Sequence, residues 1–341
     1  MAATVGTRVF RASTPEAIEP DLAALWRELA KTDAPIARAV MSNLVVFRDR
    51  IAPLHAEVEE VTSDLPDLPL EEVLARHPSR LVVLEHERAD RTPDVPFAAG
   101  VAIAVFGPAH ARYGVEQIVA RSRCAEAALP SIVRRFIRGD LPTTVWWTED
   151  LSQAPPLGAL VTMGRQFLYD SRQWVDLARG VRALAPLVGE SHADLADLNW
   201  RRLTPLRRAL DETRRASGVA GPLPDAKVRI AHRPGDATLA WLLAGALMAE
   251  QKRPAGQMPD VDESAPDGTV LLMTSRRGSS ETTVTLTDQR VVVENVAGAP
   301  LIVSVPIERQ ADAIAAELRM LGQDAALGAA IRALDRHFNA R

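Results

Sequence analysis

The sequence is poor in the residues from which compact chemical centres are built. Its 341 residues include one cysteine, Cys124, which excludes an intramolecular disulfide and any zinc or iron–sulfur site drawing several cysteines from one chain. A reducing cytoplasm is therefore the expected compartment. The seven histidines are scattered singly, which argues against a helix-borne metal pair. Lysine occurs only at Lys31, Lys227 and Lys252, so nearly every basic group is a planar guanidinium suited to bidentate contacts, a bias that a GC-rich coding sequence also explains. No apolar run approaches the roughly 20 residues of a membrane helix, and residues 1–10 lack the apolar core of a secretory signal. Neither membrane crossing nor secretion is expected. The formal charge of −4 argues against general nucleic-acid binding. Enzymatic signatures are missing too: there is no GxGxxG after a strand, no GxxxxGK[ST], no HExxH and no GxSxG. No catalytic residue, cofactor or metal is implied.

What is present is a globular composition, 47% hydrophobic and 25% charged, over a length sufficient for two domains with their own cores. Helical spacing of Leu22, Leu25, Trp26 and Leu29 predicts a helix over 20–30, followed by a buried strand at 43–47 and a helix at 53–61. A proline- and aspartate-rich loop at 63–69 precedes a helix at 70–76 and a strand at 81–84. Extended runs at 97–106 and 115–123, joined around Gly107-Pro108, read as an antiparallel pair. A helix at 125–137, strands at 143–148 and 167–171, and a helix at 173–185 continue the alternation. The expected fold is α/β (α+β overall): a mixed-sheet α/β domain over 1–218, then a smaller α+β domain over 219–341. The second comprises a strand at 226–232, an apolar helix at 237–250, strands at 269–275, 282–287, 290–295 and 301–305, and closing helices at 308–321 and 325–338. Its polar connection at 252–267 is expected to be mobile.

Three features could carry a site. In His77-Pro-Ser-Arg80 the Ser79 hydroxyl and Arg80 guanidinium at the mouth of a strand suit a phosphate, although a proline turn before a strand has the same composition. Asp170-Ser171 ends a strand where α/β proteins bind ligands, and Ser171 is the third candidate for phosphate; capping of the next helix is the alternative. Trp146 and Trp147 are adjacent in a strand and so point to opposite faces. One of them needs a second covering layer or a partner protein, and Trp147 is taken as the candidate anchor.

The densest signals lie in Asp194-Leu-Ala-Asp-Leu-Asn-Trp-Arg-Arg-Leu-Thr-Pro-Leu-Arg207. Thr204 before Pro205 is a helix start, because a hydroxyl can accept from an orphan N–H and proline gives up a donor that had no partner. Leu203, Leu206 and Leu210 form its apolar stripe, and Ser217-Gly218 stops it. Arg201, Arg208 and Arg215 recur every seven residues, with Arg207 and Arg214 beside them and Asp211 and Glu212 within a turn. That pattern is either a basic docking stripe or a solvated face laced with ion pairs.

At these residues the chain resembles the OpcA family, the glucose-6-phosphate dehydrogenase assembly or activator proteins. The resemblance rests on Met41-Ser-Asn-Leu-Val-Val46, His77-Pro-Ser-Arg80, Asp140-Leu-Pro-Thr-Thr-Val-Trp-Trp147, Asp170-Ser171 and the segment from Asp194 to Pro205, in that order. It implies a non-catalytic, cytoplasmic protein that binds glucose-6-phosphate dehydrogenase and promotes its active form, directing carbon into the oxidative pentose phosphate pathway and supplying NADPH. A protein–protein interface would then use Trp147, Trp200, Arg201, Arg202 and Arg207, with self-association into a homo-oligomer left open. The alternative is a sugar-phosphate sensor acting through Ser79, Arg80 and Ser171. The cysteine-based redox control associated with some members cannot take the form of an intramolecular disulfide here, since Cys124 stands alone.

Overall fold

Runs of valine, leucine and isoleucine in the first half of the chain pair into one nine-stranded sheet. The computed structural model describes residues 7–31, 35–51, 67–88, 97–189, 193–217, 226–251, 257–295 and 299–340. The helix expected at 53–61, most of the loop after it and the domain boundary at 218 lie outside them. The first elements are β1 (Thr7–Ser13), α1 (Ile18–Leu29), β2 (Ile36–Arg38), β3 (Ser42–Ile51), α2 (Leu70–Arg76), β4 (Ser79–Arg88), β5 (Phe97–Phe106) and β6 (Arg112–Ser122). They are followed by α3 (Leu129–Phe136), β7 (Thr143–Trp147), α4 (Gly158–Val161), β8 (Gln166–Tyr169), α5 (Leu177–Leu184), β9 (Asp194–Asp197), α6 (Leu198–Arg201) and α7 (Thr204–Ser217).

Across the sheet the order is β1-β5-β6-β4-β3-β7-β8-β9, with β2 pairing the start of β6. From β6 to β9 the strands are parallel, and β5 and β1 are added antiparallel at one edge. Counted along the chain, the parallel strands lie in the order 3-2-1-4-5-6 of doubly wound, nucleotide-binding sheets. Their central residues are buried on both faces, as parallel strands require. Leu44, Val46, Leu81, Val83 and Trp146 pack with Leu70, Val73 and Leu74 of α2. On the opposite face Val45, Phe47, Val82 and Trp147 pack with the apolar stripes of α1, α3 and α5.

The second sheet is built from β10 (Lys227–His232), β11 (Asp260–Asp262), β12 (Leu271–Arg277), β13 (Ser280–Leu286), β14 (Arg290–Asn295) and β15 (Leu301–Ser304), in the order β11-β10-β12-β13-β14-β15. Only β11, which comes from the connection at 252–267, joins in parallel. Helix α8 (Ala237–Glu250) is apolar around most of its circumference and is correspondingly buried. The chain ends with α9 (Gln310–Arg319) and α10 (Ala325–Asn339). Helix α10 lies on α8, and Gly245 is what lets them meet: a Cβ there would stand 2.8 Å from the Ala330 carbonyl oxygen.

The helical layers cross between the sheets. Helix α9 returns to the first sheet, where Ala311, Ile314 and Leu318 join the α2 cluster and Arg76 pairs with Asp312. Helix α7 packs on β14 and β15, and Leu206 and Ala209 on the helix and Leu203 just before it are buried. The helix expected over 173–185 divides instead. Asp170 accepts from the Arg172 N–H at 3.1 Å and caps a single 3-10 turn over Ser171–Gln173, while Asp176 accepts from the Arg179 N–H at 3.0 Å and starts α5. The capping alternative for Asp170 is thus realised one turn early.

Candidate functional site

In a doubly wound sheet the usual ligand position is the crevice outside the carboxyl ends of the strands, where the strand order reverses, here between β3 and β7. A dinucleotide there needs a glycine turn that brings backbone N–H groups against its pyrophosphate. This chain has no glycine between Gly6 and Gly100, and the Asp49 N–H donates to the Glu149 carboxylate at 3.1 Å. Glu85 and Glu87 end the neighbouring strand and pair with Arg121 and Arg123, each at 2.8 Å. Carboxylates at this end of the sheet are thus engaged by partners within the chain.

Ser79 and Arg80 lie at the other end of the sheet. The Ser79 hydroxyl donates to the His77 carbonyl at 3.1 Å and lies 2.9 Å from Ser42 Oγ, which in turn is 3.0 Å from His77 Nε2. Burial, with Arg319 nearby, holds the His77 imidazole below its usual pKa. Arg80 is 1% exposed and paired with Glu116 at 2.8 Å and with Glu19. Glu116 also accepts from Trp26 Nε1 at 2.9 Å and pairs with Arg38. Ser171 follows β8, and the registers Ser42↔Ser79, Asn43↔Thr143 and Thr144↔Gln166 put it seven residues beyond the level of Ser79. At ~3.3 Å per residue that is about 20 Å along the strands. The three residues expected to share a phosphate are not brought together, and the Arg80 guanidinium is already matched by carboxylates of this chain.

Four of the five residues expected to contact a partner do converge, around a cleft of about 810 Å³ between the two sheets. Trp200 is 3% exposed; its Nε1 donates to Asp324 Oδ2 at 2.7 Å, and the Arg207 guanidinium lies over its ring at 4.2 Å from the centroid. Asp324 also accepts from the Ala326 and Leu327 N–H groups at 3.0 and 3.1 Å, so one carboxylate caps α10 and ties it to the α6–α7 corner. Arg201 makes two 2.8 Å bonds to Glu308 and one of 2.9 Å to Glu317. The bonds to Glu308 raise the Arg201 pKa further, while burial pushes the Glu317 carboxyl up despite its arginine. Arg202 donates to Asn199 Oδ1 at 3.0 Å and to Asp236 at 2.7 Å.

Trp147 requires a correction. It is 2% exposed, stacks on Phe47 with centroids 4.0 Å apart, and donates from Nε1 to the Ala154 carbonyl at 3.2 Å. Both tryptophans of the pair are covered, one on each face of the sheet, so Trp147 belongs to the core and offers no surface. The cleft rim instead exposes Ile307 (92%) and Met320 (62%), beside an exposed Arg208. At the cleft floor is Asp197, only 2% exposed. Its Oδ1 accepts from the Ser171 N–H at 3.0 Å and the Asn199 N–H at 2.9 Å, and burial raises its carboxyl from 3.8 to about 7.

Sequence reasoning missed Asp197, Asp324, Glu308, Glu317, Ile307 and Met320. Only Asp324 and Asp197 carried a local signal, as acidic residues placed to cap the helices that follow them.

Two family models match this chain. The model for the N-terminal domain of the glucose-6-phosphate dehydrogenase subunit matches residues 70–186, and the model for the C-terminal domain of that same subunit matches residues 193–331. The cleft draws Arg172 from the first stretch and most of its wall from the second. No curated protein matches. Similar solved structures include a 3-ketoreductase from Actinomadura kijaniata, with 10% identity, 88% of this chain and 96% of that one covered, and a TM-score of 0.44. Others are a UDP-N-acetylglucosamine 3-dehydrogenase from Acidithiobacillus ferrooxidans (10% identity, 89% and 98% covered, TM-score 0.41) and an oxidoreductase from Thermotoga maritima (10%, 87% and 96%, 0.41). At these scores the likenesses assign no chemistry to this chain.

Proposed function

The chain belongs to the OpcA family of glucose-6-phosphate dehydrogenase subunits, and from that premise we propose that it is a non-catalytic cytoplasmic protein that binds the dehydrogenase and promotes its active form. The observation that carries this reading is the family match itself, which runs through both sheets. An activator must bind the active state of its enzyme more tightly than the inactive one, which a rigid, preformed surface does best. The cleft face fits that need. Arg201 and Arg202 act as internal staples, fixing α6 against Glu308, Glu317 and Asp236. Arg207 and Arg208, together with the exposed Ile307 and Met320, are the groups that meet the dehydrogenase. Carbon would in this way be directed into the oxidative pentose phosphate pathway, raising NADPH supply.

The test mixes the purified protein with glucose-6-phosphate dehydrogenase of the same organism. Co-elution on size exclusion, with a higher rate or a lower KM, is the expected result; separate elution with unchanged kinetics refutes the proposal.

A further inference from the structure

One face of the second sheet is used up by the core: Val228, Ile230, Met273, Val284 and Val293 join the cluster that includes α7 and α8. Strand side chains alternate, so the residues between them point to the other side. The registers align these in rows that cross the strands. Ala231, Leu272, Thr285, Val292 and Ile302 form one row, Arg229, Thr274, Thr283 and Glu294 the next, and Arg276 stands beside Glu281 in a third. The solvated face of an antiparallel sheet is ordinarily polar. Here Leu272, Val292 and Ile302 share one row and belong to neither core cluster, and Ile302 is 57% exposed.

Charge on this open face complements itself. The guanidiniums of Arg229 and Arg276 lie on the β10 and β12 side, and the carboxylates of Glu281 and Glu294 on the β13 and β14 side. A two-fold axis along the strands, between β12 and β13, exchanges β12 with β13 and β10 with β14 while keeping each row at its own level. Arg229 then faces Glu294 of a second copy, Arg276 faces its Glu281, and Ala231 faces its Val292. Glu294 is exposed and has no ion pair among the described residues. Arg229 binds Asp262 through Nε and one terminal nitrogen, and its other terminal nitrogen has no partner among the described residues. The Arg276–Glu281 pair of each chain, 2.7 Å long, would meet its copy as a ring of alternating charges. Tilting the axis about 15° from the strands gives the ~30° at which aligned sheets pack. Spaced about 4.8 Å apart and up to seven residues long, β10 and β12 to β15 present roughly 500 Å² of flat area. Two copies in contact cover about 1,000 Å², the threshold of a specific interface, before side-chain relief is added.

We propose that the open face of the second sheet is a homodimer interface, with a two-fold axis running along the strands between β12 and β13. None of these residues lines the cleft, so the dimer leaves both dehydrogenase-facing rims free and forms or fails independently of that enzyme.

The test is analytical ultracentrifugation of the full chain. At about 10 µM the wild type should sediment with twice the mass of one chain. Arg276→Glu gathers carboxylates around the axis and Glu281→Arg gathers guanidiniums, and each should weaken the dimer about tenfold or more. An equimolar mixture of the two variants should recover it, because the alternation of charge is restored; recovery on mixing cannot arise from a change inside either chain. Glu294→Lys, which would face Arg229 of the second copy, should weaken the dimer to a similar degree. A single-chain mass up to about 100 µM overturns the proposal, as does a dimer insensitive to all three substitutions or a mixture no more dimeric than its components. A monomer whose affinity for glucose-6-phosphate dehydrogenase falls with these substitutions also overturns it, and gives this face to the enzyme.

Discussion

Asp197→Asn should change how stability depends on pH. Burial raises this carboxyl from 3.8 to about 7 in the folded chain, so between those values the folded state holds a proton that the unfolded state has released. Stability must then fall as pH rises through that window, and the contribution is fully lost above the folded pKa. A raised acid works opposite to the usual salt-bridged aspartate. About three pH units of difference, at ~1.4 kcal/mol per unit, set a ceiling of roughly 4 kcal/mol; between pH 5 and pH 8 the expected loss is about 3 kcal/mol. Asparagine keeps the oxygen that caps Ser171 and Asn199 but cannot ionise. Urea denaturation of both proteins at intervals from pH 4 to pH 9 supplies the measurement. The variant should match or trail the wild type near pH 5 and exceed it by about 2–4 kcal/mol near pH 8. Parallel curves would refute the claim that burial outweighs the two backbone N–H bonds that Asp197 accepts.

Other outcomes follow from the packing. Arg80→Met should destabilise by about 3–5 kcal/mol, because Glu116 would lose its one fully buried guanidinium and keep only the more exposed Arg38 and Arg138; a loss under ~1 kcal/mol in chemical denaturation would show that Arg80 is not a structural staple. Gly245→Ala decides between two effects of opposite sign. Helix propensity favours alanine by about 0.5–1 kcal/mol, whereas a Cβ 2.8 Å from the Ala330 carbonyl oxygen must push α8 off α10 and should cost about 1–3 kcal/mol. A raised Tm would contradict the close approach. Trp200→Phe removes the donor to Asp324 and weakens the stack with Arg207, so a loss of about 1–2 kcal/mol is expected; unchanged stability with lost dehydrogenase binding would move Trp200 from the core to the interface.

How far the sequence reveals these features depends on how local their causes are. Helix α8 was legible to the residue, because an apolar run of fourteen residues can only be a buried helix between its flanking strand and polar connection. The alternation at Trp146 and Trp147 left open a second covering layer or a partner protein, and the structure supplies the layer, with α2 and α9 on the Trp146 side. By contrast β9 and α6 were hidden inside the segment 194–201. A four-residue strand with aspartate at each end lacks the usual apolar alternation, and Asp197 acts as a cap. The arginines could be located but not assigned. Glu308, Glu317 and Asp324, which engage Arg201 and Arg207, lie more than a hundred residues further on, beyond the reach of any spacing rule. The Ser79-Arg80 motif misled for a related reason: a phosphate and a buried carboxylate make the same demand on a guanidinium, and only the topology brings Glu116 to Arg80.

Activation is measured by titrating glucose-6-phosphate dehydrogenase with this protein, wild type against Ile307→Asp, and following NADPH formation below saturating substrate. The rate should rise saturably with the wild type. Potency should fall tenfold or more, about 1.4 kcal/mol, when a charge replaces the exposed rim isoleucine, with Tm unchanged. A rate that stays flat at every ratio of wild-type protein to enzyme would contradict activation by this protein.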